Sequence, residues 1–334
     1  MPGFGQILDE ILGVLKEGRD RPFDLVVRKY LSAIRVHTGR DIIFYASRFT
    51  RGAEGISPDM IMINESDLQG MMSVMQGLQG PNLDLILHTP GGRTDSAEAI
   101  GKYLRSKFSN IRIFVPNLAM SAGTMLACLA DEIIMGKHSF LGPIDPQLTM
   151  NTPLGYRQMA AQAIQKQFEQ AMAECTADRT RLMVWAPILS SYAPDLLVAS
   201  RQAIDRSREI ATTWLKTYRF KNDPGGEAKA TAVANWLMDD SDHKSHGKHL
   251  SREDLRSNGL EITNLEDDQD LRDLVLSVFH AVTIVMDMTP TVKYITNHEG
   301  KTFVHQAPGR LPVPTPAQQI SRLARFFKTI LKLK

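Results

Sequence analysis

The sequence has few of the features that mark secreted, membrane-spanning or nucleic-acid-binding chains. Only two of its 334 residues are cysteines, Cys128 and Cys175, and their spacing predicts neither a disulfide framework nor a zinc knuckle. The net charge is +2, which argues against bulk binding of nucleic acid. No run of about 18 apolar residues occurs, so we expect no membrane-spanning helix.

The N-terminus also lacks the pattern of a secretory signal peptide. Its start contains no basic residue, and charged residues interrupt its apolar stretch at Asp9, Glu10, Lys16 and Glu17. We therefore expect a cytoplasmic protein. Apolar residues make up 43% of the chain and charged residues 23%, so it can bury a sizeable core in one large α/β domain or two small ones.

Strand-like and helix-like segments alternate through the first half of the chain. Such alternation predicts parallel strands joined by right-handed crossovers. β-Branched and aromatic residues predict strands at 41–46, 83–87, 111–115 and 132–135. Apolar periodicity predicts helices at 68–78, which Ser66 would cap, at 96–107 and at 121–130.

Helical periodicity dominates the rest of the chain. Two short amphipathic helices are predicted near the N-terminus, at 6–17 and 22–34. The second half is predicted to be mostly helical, and a β-hairpin near its end would pair residues 292–295 with 302–305. The helices predicted in this half are 155–183, 195–220, 227–238 and 267–286.

Two consecutive glycines follow a predicted strand in the segment His88–Gly92 (HTPGG). Gly91 and Gly92 let the backbone turn sharply and leave N–H groups without a covering side chain. Such N–H groups can bind an oxyanion that develops during a reaction. The alternative is an ordinary turn that needs glycine.

A serine follows the next predicted strand and opens a helix in the segment Met120–Thr124 (MSAGT). A serine at such a turn is exposed at the carboxyl end of the sheet, where open α/β sheets bind ligands. Its small neighbours Ala122 and Gly123 would let a substrate backbone approach. The alternative is that Ser121 only caps the helix. Parallel topology brings this serine and the glycine pair together, which favours a catalytic function over either alternative.

Two longer segments closely resemble the serine dehydrogenase proteinase family. They are LILHTPGGRTDSAEAIGKYLRS and VPNLAMSAGTMLACLADEIIMGKHSFLGPIDPQL, and the close match covers about residues 83–148. A weaker likeness extends to GRDIIFYASRF upstream and HGKHLSREDLRSNGLEI downstream. This family is related to signal peptide peptidase A and, more distantly, to ClpP and the crotonases.

The resemblance implies an α/β fold of the ClpP/crotonase type, built from repeated ββα units with additional C-terminal helices. It implies hydrolysis of peptide bonds by Ser121, with the N–H groups of Gly92 and Ala122 as oxyanion donors. Gly91 and Gly123 would support this geometry. It also implies a peptide or protein substrate and a homo-oligomer. No GxGxxG fingerprint follows a strand, so we expect no NAD or other cofactor.

The resemblance leaves the general base open. ClpP-like enzymes carry a histidine about one strand and loop after the serine, but here that place holds Asp145, which we expect to shape the loop by capping backbone N–H groups. Relatives of signal peptide peptidase use a lysine on a later helix, which points to Lys166 as the base if burial lowers its pKa. A solvated lysine is the alternative reading. His138 and His88 are weaker candidates for the base.

Three histidines, His243, His246 and His249, lie among aspartates and look superficially like metal ligands. Their spacing on a loop with glycine and serine does not fix a coordination face, so we expect no metal. The following residues, Ser251 to Gly259, predict a short helix with a capping serine and Asp254 at its third position.

The end of the chain predicts a proline-rich linker at 307–317 and a basic amphipathic helix at 318–334. This tail helix could lie on an anionic membrane, dock on a partner subunit or pack on its own core. The predicted organisation is therefore a helical segment at 1–34, a peptidase domain with its helical extension at 35–306, the linker and the tail.

The function predicted from the sequence is that of a serine endopeptidase with a Ser121–Lys166 dyad. A non-catalytic scaffold of the same fold, which binds peptides or membrane partners, is one alternative. An acyl-CoA enzyme of the crotonase type is another. A serine at the helix start favours the peptidase, because crotonase chemistry usually depends on carboxylates.

Overall fold

The computed structural model describes residues 3–152 and 155–307, and a seven-stranded sheet forms its centre. The strands of the described residues are β1 (Asp41–Ser47), β2 (Asn82–His88), β3 (Asn110–Val115), β4 (Leu118–Ala119), β5 (Glu132–Met135), β6 (Phe140–Leu141), β7 (Gln147–Thr152), β8 (Gly155–Ala160), β9 (Thr263–Asn264), β10 (Thr291–Asn297) and β11 (Thr302–Gln306).

The α-helices of the same part of the chain are α1 (Phe4–Lys16), α2 (Pro22–Thr38), α3 (Pro58–Ile61), α4 (Glu65–Met75), α5 (Thr94–Lys107), α6 (Ala122–Cys128), α7 (Ala161–Ala177), α8 (Leu182–Leu189), α9 (Leu196–Trp214), α10 (Gly226–Leu237), α11 (Asp240–His243), α12 (Arg252–Ser257) and α13 (Gln269–Met288). A turn of π-helix at Leu215–Arg219 extends α9.

The central sheet has the strand order β11-β10-β1-β2-β3-β5-β9. The five strands from β1 to β9 in this order are parallel, and β10 and β11 add an antiparallel edge. The carboxyl ends of β1, β2, β3 and β5 therefore share one edge of the sheet, which is where open parallel sheets place their ligands.

Helices cover both faces of the sheet, so its strands are buried on both sides. On one face Ile43, Leu85 and Ile113 belong to a core that also contains side chains of α4, α5, α6, α9 and α10. On the other face Ile42 and Phe44 pack with side chains of α1, α2 and α13. Adjacent residues of β1 thus enter different cores, as expected for a strand whose side chains alternate between faces.

The structure confirms the predicted α/β architecture with parallel strands. The strands predicted at 41–46, 83–87, 111–115 and 132–135 correspond to β1, β2, β3 and β5. The two N-terminal helices and the hairpin of β10 and β11 are also present. All but the first residue of the linker predicted at 307–317, and the whole tail helix predicted at 318–334, lie outside the described residues, and their roles stay predictions.

Two local predictions were wrong. The helix predicted at 155–183 begins only at Ala161, because residues 155–160 form β8 and pair with β7 in a hairpin. The helix predicted behind Ser66 is capped instead by Asn64, whose Oδ1 accepts a hydrogen bond from Ser66 N at 3.0 Å. The side chain of Asp67 returns a bond to Asn64 N, which completes a capping box.

Within residues 3–152 and 155–307, none of the helices has both the length and the apolarity that crossing a bilayer requires.

Candidate active site

Ser121 lies on a sharp turn between β4 and α6 with a strained backbone. Its φ is 51° and its ψ is −115°, a conformation that costs a residue with a side chain about 1–3 kcal/mol. The hydroxyl makes no capping hydrogen bond to α6, so the interpretation of Ser121 as a simple helix cap is wrong. The turn instead leaves the half-buried side chain outside the helix, at the edge of the sheet.

Short hydrogen bonds hold this turn in place. Gly123 N donates to Met120 O at 2.7 Å, and the Thr124 hydroxyl donates to Ala119 O at 2.8 Å. A Cβ atom at Gly123 would lie 2.5 Å from Thr89 Cγ2, so only glycine fits there. The serine is thus presented by a rigid strand-to-helix turn, which is the preorganisation that a nucleophile needs.

The glycine loop after β2 lies directly beside this turn. Thr89 N donates to Leu118 O and Met120 N donates to Thr89 O, both at 3.0 Å, so the two segments pair as parallel strands. Gly91 has φ 93°, and a Cβ atom on it would approach Met120 O to 2.6 Å and Ser121 Cβ to 2.7 Å. The structure therefore brings together the two segments that the sequence singles out.

Gly92 lies against a third segment, at Ile63. Ile63 N donates to Gly91 O at 2.8 Å, and Arg93 N donates to Ile63 O at 2.9 Å. In this parallel pairing the N–H of Gly92 itself points away from Ile63 and makes no hydrogen bond to another described residue. The N–H of Ala122, in the first turn of α6, is likewise unused within the described chain. Both N–H groups are thus available to an oxygen in the site.

A buried ion pair fixes the segment that supports the glycine loop. Lys293 Nζ donates to both carboxylate oxygens of Asp67, at 2.8 and 3.0 Å, and to Met62 O at 2.6 Å. Both side chains are 0% exposed, and the Tyr45 hydroxyl adds a bond to Asp67 at 3.1 Å. Burial lowers the pKa of Lys293, while the adjacent carboxylate opposes that shift. Met62 precedes Ile63, so this ion pair anchors the segment that pairs with Gly92.

His88 supports the loop from inside the protein. Its ring packs between Phe49 and Phe279, with centroid distances of 4.7 and 5.0 Å, and its Nδ1 accepts a bond from Leu118 N at 3.4 Å. Burial lowers the pKa of His88 to about 3, so the ring is neutral at physiological pH. His88 lines a different, smaller cavity from the one that contains Ser121, and His138 is exposed. Neither geometry supports a role as base.

A cavity of about 740 Å³ opens over Ser121, Ala122 and Gly92. The hairpin of β7 and β8 contributes to its wall, together with residues of α5 and α9. Much of the remaining lining is apolar and includes Met125, Ile144, Pro146, Leu148 and Ala203. Its volume falls in the range of pockets that hold small molecules or a few peptide side chains.

Lys166 does not line this cavity. It lies on α7, as its spacing from Ser121 predicts, but its Nζ forms an ion pair with Asp240 at 2.6 Å and the side chain is 54% exposed. The side chain is therefore not buried as the predicted role requires. Its role as base stays a prediction that these contacts do not support.

Asp145 has a different role from the one predicted. The sequence suggests that it caps backbone N–H groups, but its carboxylate binds two side chains: Oδ1 lies 2.7 Å from His246 Nδ1, and Oδ2 accepts a bond from Gln147 Nε2 at 2.7 Å. Asp145 is 3% exposed, whereas His246 is 32% exposed and lines the Ser121 cavity.

Sequence reasoning missed His246 because it lies 101 residues beyond Asp145 in the chain. The sequence drew attention to His246 only as one of three histidines that resemble metal ligands and as part of the weaker downstream likeness, HGKHLSREDLRSNGLEI. The neighbouring histidines have separate surroundings: His243 is buried with its Nε2 2.7 Å from Trp236 O, and His249 stacks on Phe140. No group of three potential ligands for a metal ion occurs within residues 3–152 and 155–307.

Comparison with known proteins gives a family match. A model described as ClpP-like SDH-type serine proteinase matches residues 60–303.

Two proteins of Methanocaldococcus jannaschii, both described as uncharacterised, are similar to this chain. One is 32% identical over 187 residues, 56% of this chain and 55% of that protein. The other is 29% identical over 180 residues, 54% of this chain and 51% of that protein. This chain thus spans about half the length of the curated relatives that it matches.

Among solved structures, a mutant of a membrane-bound stomatin-specific protease is similar in fold. The match has a TM-score of 0.40 and 15% sequence identity, and it covers 64% of this chain and 79% of that one.

Breaking the buried ion pair beneath the glycine loop should strongly destabilise the protein. Lys293→Met leaves Asp67 buried without a counter-charge, so we expect a loss of about 3–5 kcal/mol in the free energy of unfolding, measured by urea denaturation. The double variant Lys293→Met/Asp67→Asn removes both charges and should recover much of this loss.

Lys229→Met is the matched control, because Lys229 pairs with Asp223 on the surface at a similar 2.7 Å. Exposed pairs contribute about 0–1 kcal/mol, so this variant should unfold almost like the parent. Equal stability losses in the two lysine variants would show that the buried pair has no special role.

Proposed function

Because this chain belongs to the family of ClpP-like SDH-type serine proteinases, we propose that it hydrolyses peptide bonds through a covalent ester on Ser121. One observation carries the proposal. The strained turn presents Ser121 in the same cavity as two N–H groups, those of Gly92 and Ala122, that make no hydrogen bond to another described residue. A nucleophile beside paired donors is the arrangement that acyl transfer requires.

The proposed reaction begins when Ser121 Oγ attacks the carbonyl carbon of a peptide bond. The carbonyl oxygen then carries a negative charge, which the N–H groups of Gly92 and Ala122 would stabilise. Collapse of this intermediate releases the amine and leaves the acyl group on Ser121, and water hydrolyses the ester. Gly91 allows the loop to lie close to Ser121, because a Cβ atom there would clash with Met120 O.

The cavity supports a peptide or protein as the substrate class. Residues of the glycine loop and of the hairpin of β7 and β8 line it, and its apolar lining includes Met125, Ile144 and Leu148. An apolar substrate side chain that entered it would lose contact with water, which stabilises binding by about 25 cal/mol per Å² of apolar surface. The homo-oligomer that the resemblance implies, and membrane contact through residues 318–334, stay proposals.

Replacing the nucleophile should remove the activity without unfolding the protein. Ser121→Ala is expected to lower the turnover of fluorescein-labelled casein by at least about 10³-fold, because the substitution removes the hydroxyl that forms the ester. Labelling by fluorophosphonate–rhodamine should be lost as well, while the melting temperature stays nearly unchanged.

Ser73→Ala is the matched control, since Ser73 lies exposed on α4 and its hydroxyl donates to Gln69 O within its own helix. Parent-like casein hydrolysis and labelling in Ser121→Ala would refute the assignment of the nucleophile. A folded parent that neither hydrolyses casein nor labels at Ser121 would favour the scaffold alternative.

The lysine predicted as base can be tested separately. If Lys166 removes the Ser121 proton, Lys166→Ala should lower casein turnover by several orders of magnitude, because an unactivated serine is a poor nucleophile. If its role is the ion pair with Asp240, casein turnover should stay near the parent value and only stability should change slightly. The measured turnover number decides between the two.

A further inference from the structure

The helix α8 carries apolar side chains on the outside of the protein. Its first three residues, Leu182, Met183 and Val184, and also Ile188 are 39–83% exposed, whereas Trp185 is buried. Successive residues of an α-helix lie about 100° apart around its axis, so the first three cover roughly 200° of the circumference. A helix that is apolar around most of its circumference is usually enclosed, either in a protein core or in lipid.

Two aromatic residues fix α8 in this orientation. Trp185 Nε1 donates to Glu174 Oε2 at 2.9 Å, and the Tyr192 hydroxyl donates to Gln167 Oε1. Both acceptors belong to α7, so α8 and the turn that follows it are bound to a longer helix. Specific contacts therefore hold the apolar side chains of α8 outward.

The charges around α8 are arranged as at a lipid interface. The chain has no charged residue at 182–194, and two exposed arginines, Arg179 and Arg181, precede this run. The acid before them, Asp178, caps their turn, because its Oδ1 accepts bonds from the N–H and the hydroxyl of Thr180, at 2.9 and 2.7 Å. Arginines beside an exposed apolar helix can pair with lipid phosphates while the apolar side chains enter the bilayer.

We propose that the α8 surface, formed by Leu182, Met183, Val184 and Ile188, docks the protein on a bilayer that contains anionic lipid. The helix lies in the plane of the interface with these side chains among the acyl chains, and the two arginines contact headgroup phosphates. The docking does not depend on the peptidase function proposed above. It is also separate from the tail helix predicted at 318–334.

The size of the α8 surface favours lipid over a second copy of the chain. Full burial of an aliphatic side chain removes roughly 60–120 Å² from water, given its transfer free energy and about 25 cal/mol per Å². The four partly exposed side chains therefore offer roughly 150–300 Å². A stable dimer buries about 800 Å² on each partner. Insertion into lipid has no such minimum, because acyl chains surround all exposed sides of the helix.

A small core connects the surroundings of α8 to the cavity of the candidate active site. Met150, Ile164 and Leu196 form this core between the hairpin of β7 and β8, α7 and α9, and Leu148 and Tyr192 pack against it. Leu148 also lines the cavity. Docking of α8 would therefore hold the cavity near the bilayer. If the chain is the peptidase proposed above, polypeptides at the membrane surface are its accessible substrates.

The first test measures co-sedimentation of the full-length protein with vesicles of equal parts phosphatidylcholine and phosphatidylglycerol. Met183→Gln/Val184→Gln removes apolar surface without changing the charge, and glutamine suits a helix. We expect this variant to bind the vesicles at least about tenfold more weakly than the parent, because two side chains lose their contact with acyl chains. The loss should persist at about 1 M salt, where the Debye length of about 3 Å screens contacts made by charges alone.

Val36→Gln/Met72→Gln is the matched control, since it replaces the same two residue types where they are exposed on α2 and α4. This variant should bind the vesicles like the parent. Circular dichroism of each variant checks that it is folded. An equal loss of binding in the two double variants would show that the protein adsorbs through any exposed apolar residue, which overturns the proposal.

The second test addresses the charge beside α8. Arg179→Gln/Arg181→Gln should weaken binding to the mixed vesicles about tenfold and leave binding to pure phosphatidylcholine unchanged, because only the anionic lipid attracts these side chains. Equal losses with both kinds of vesicle would refute the preference for anionic lipid.

The remaining outcomes separate lipid from the other occupants. A folded parent that does not sediment with vesicles, or parent-like binding by Met183→Gln/Val184→Gln, would overturn the docking on lipid. If that variant forms a smaller assembly than the parent in analytical ultracentrifugation while vesicle binding is unchanged, the surface contacts a second copy. Loss of all binding on deletion of residues 318–334 alone would assign the membrane contact to the tail. Ser121→Ala should bind vesicles like the parent, so failure of the peptidase function and failure of the docking are distinguishable.

Discussion

The site depends on a close approach of three backbone segments that only glycine permits. A Cβ atom on Gly92 would lie 2.3 Å from Ile63 N, and one on Gly91 would lie 2.6 Å from Met120 O. The glycine loop therefore packs between the Ile63 segment and the turn that carries Ser121. Because all three segments hydrogen-bond through their backbones, the sheet edge and not flexible side chains sets the distance between Ser121 and the N–H groups of Gly92 and Ala122. The buried ion pair of Lys293 and Asp67 holds the Ile63 segment in place, because Lys293 Nζ also donates to the backbone oxygen of Met62.

Those parts of the fold and site that arise from short sequence segments could be predicted. β-Branched runs predict β1, β2, β3 and β5, since a strand buried on both faces must be apolar along its length. The glycine pair and Ser121 follow two of these strands, so parallel topology alone predicts that they meet. The capped helix at Arg252–Ser257 is equally local, because Ser251 and Asp254 bond each other's backbone N–H groups.

The parts that prediction missed depend on contacts between distant residues. Lys166 has the predicted spacing from Ser121 in the sequence, but this spacing does not determine which side chains line the same cavity. In the structure Lys166 forms an ion pair with Asp240, which belongs to another helix. His246 comes to Asp145 through backbone pairing of segments about a hundred residues apart, which no local pattern encodes. The hairpin of β7 and β8 was not predicted. The strong helical periodicity of Ala161–Ala177 led to a predicted helix that begins six residues too early.

His246 lines the Ser121 cavity and is held there by Asp145, which lies 101 residues earlier in the chain. Asp145 occupies the place at which the resemblance to ClpP-like enzymes predicts a histidine, and the imidazole that contacts it comes from the loop before α12. What acyl transfer requires is a nucleophile, an oriented base and oxyanion donors within one cavity, and unrelated enzymes supply these in different chain orders. The parallel sheet supplies Ser121 and the glycine loop from adjacent strands, so these two are fixed by topology. The base has no such constraint, and any segment that packs over the cavity can provide it. In this chain the loop before α12 brings His246 against a buried carboxylate beside the cavity, while Lys166 remains at the surface in its ion pair.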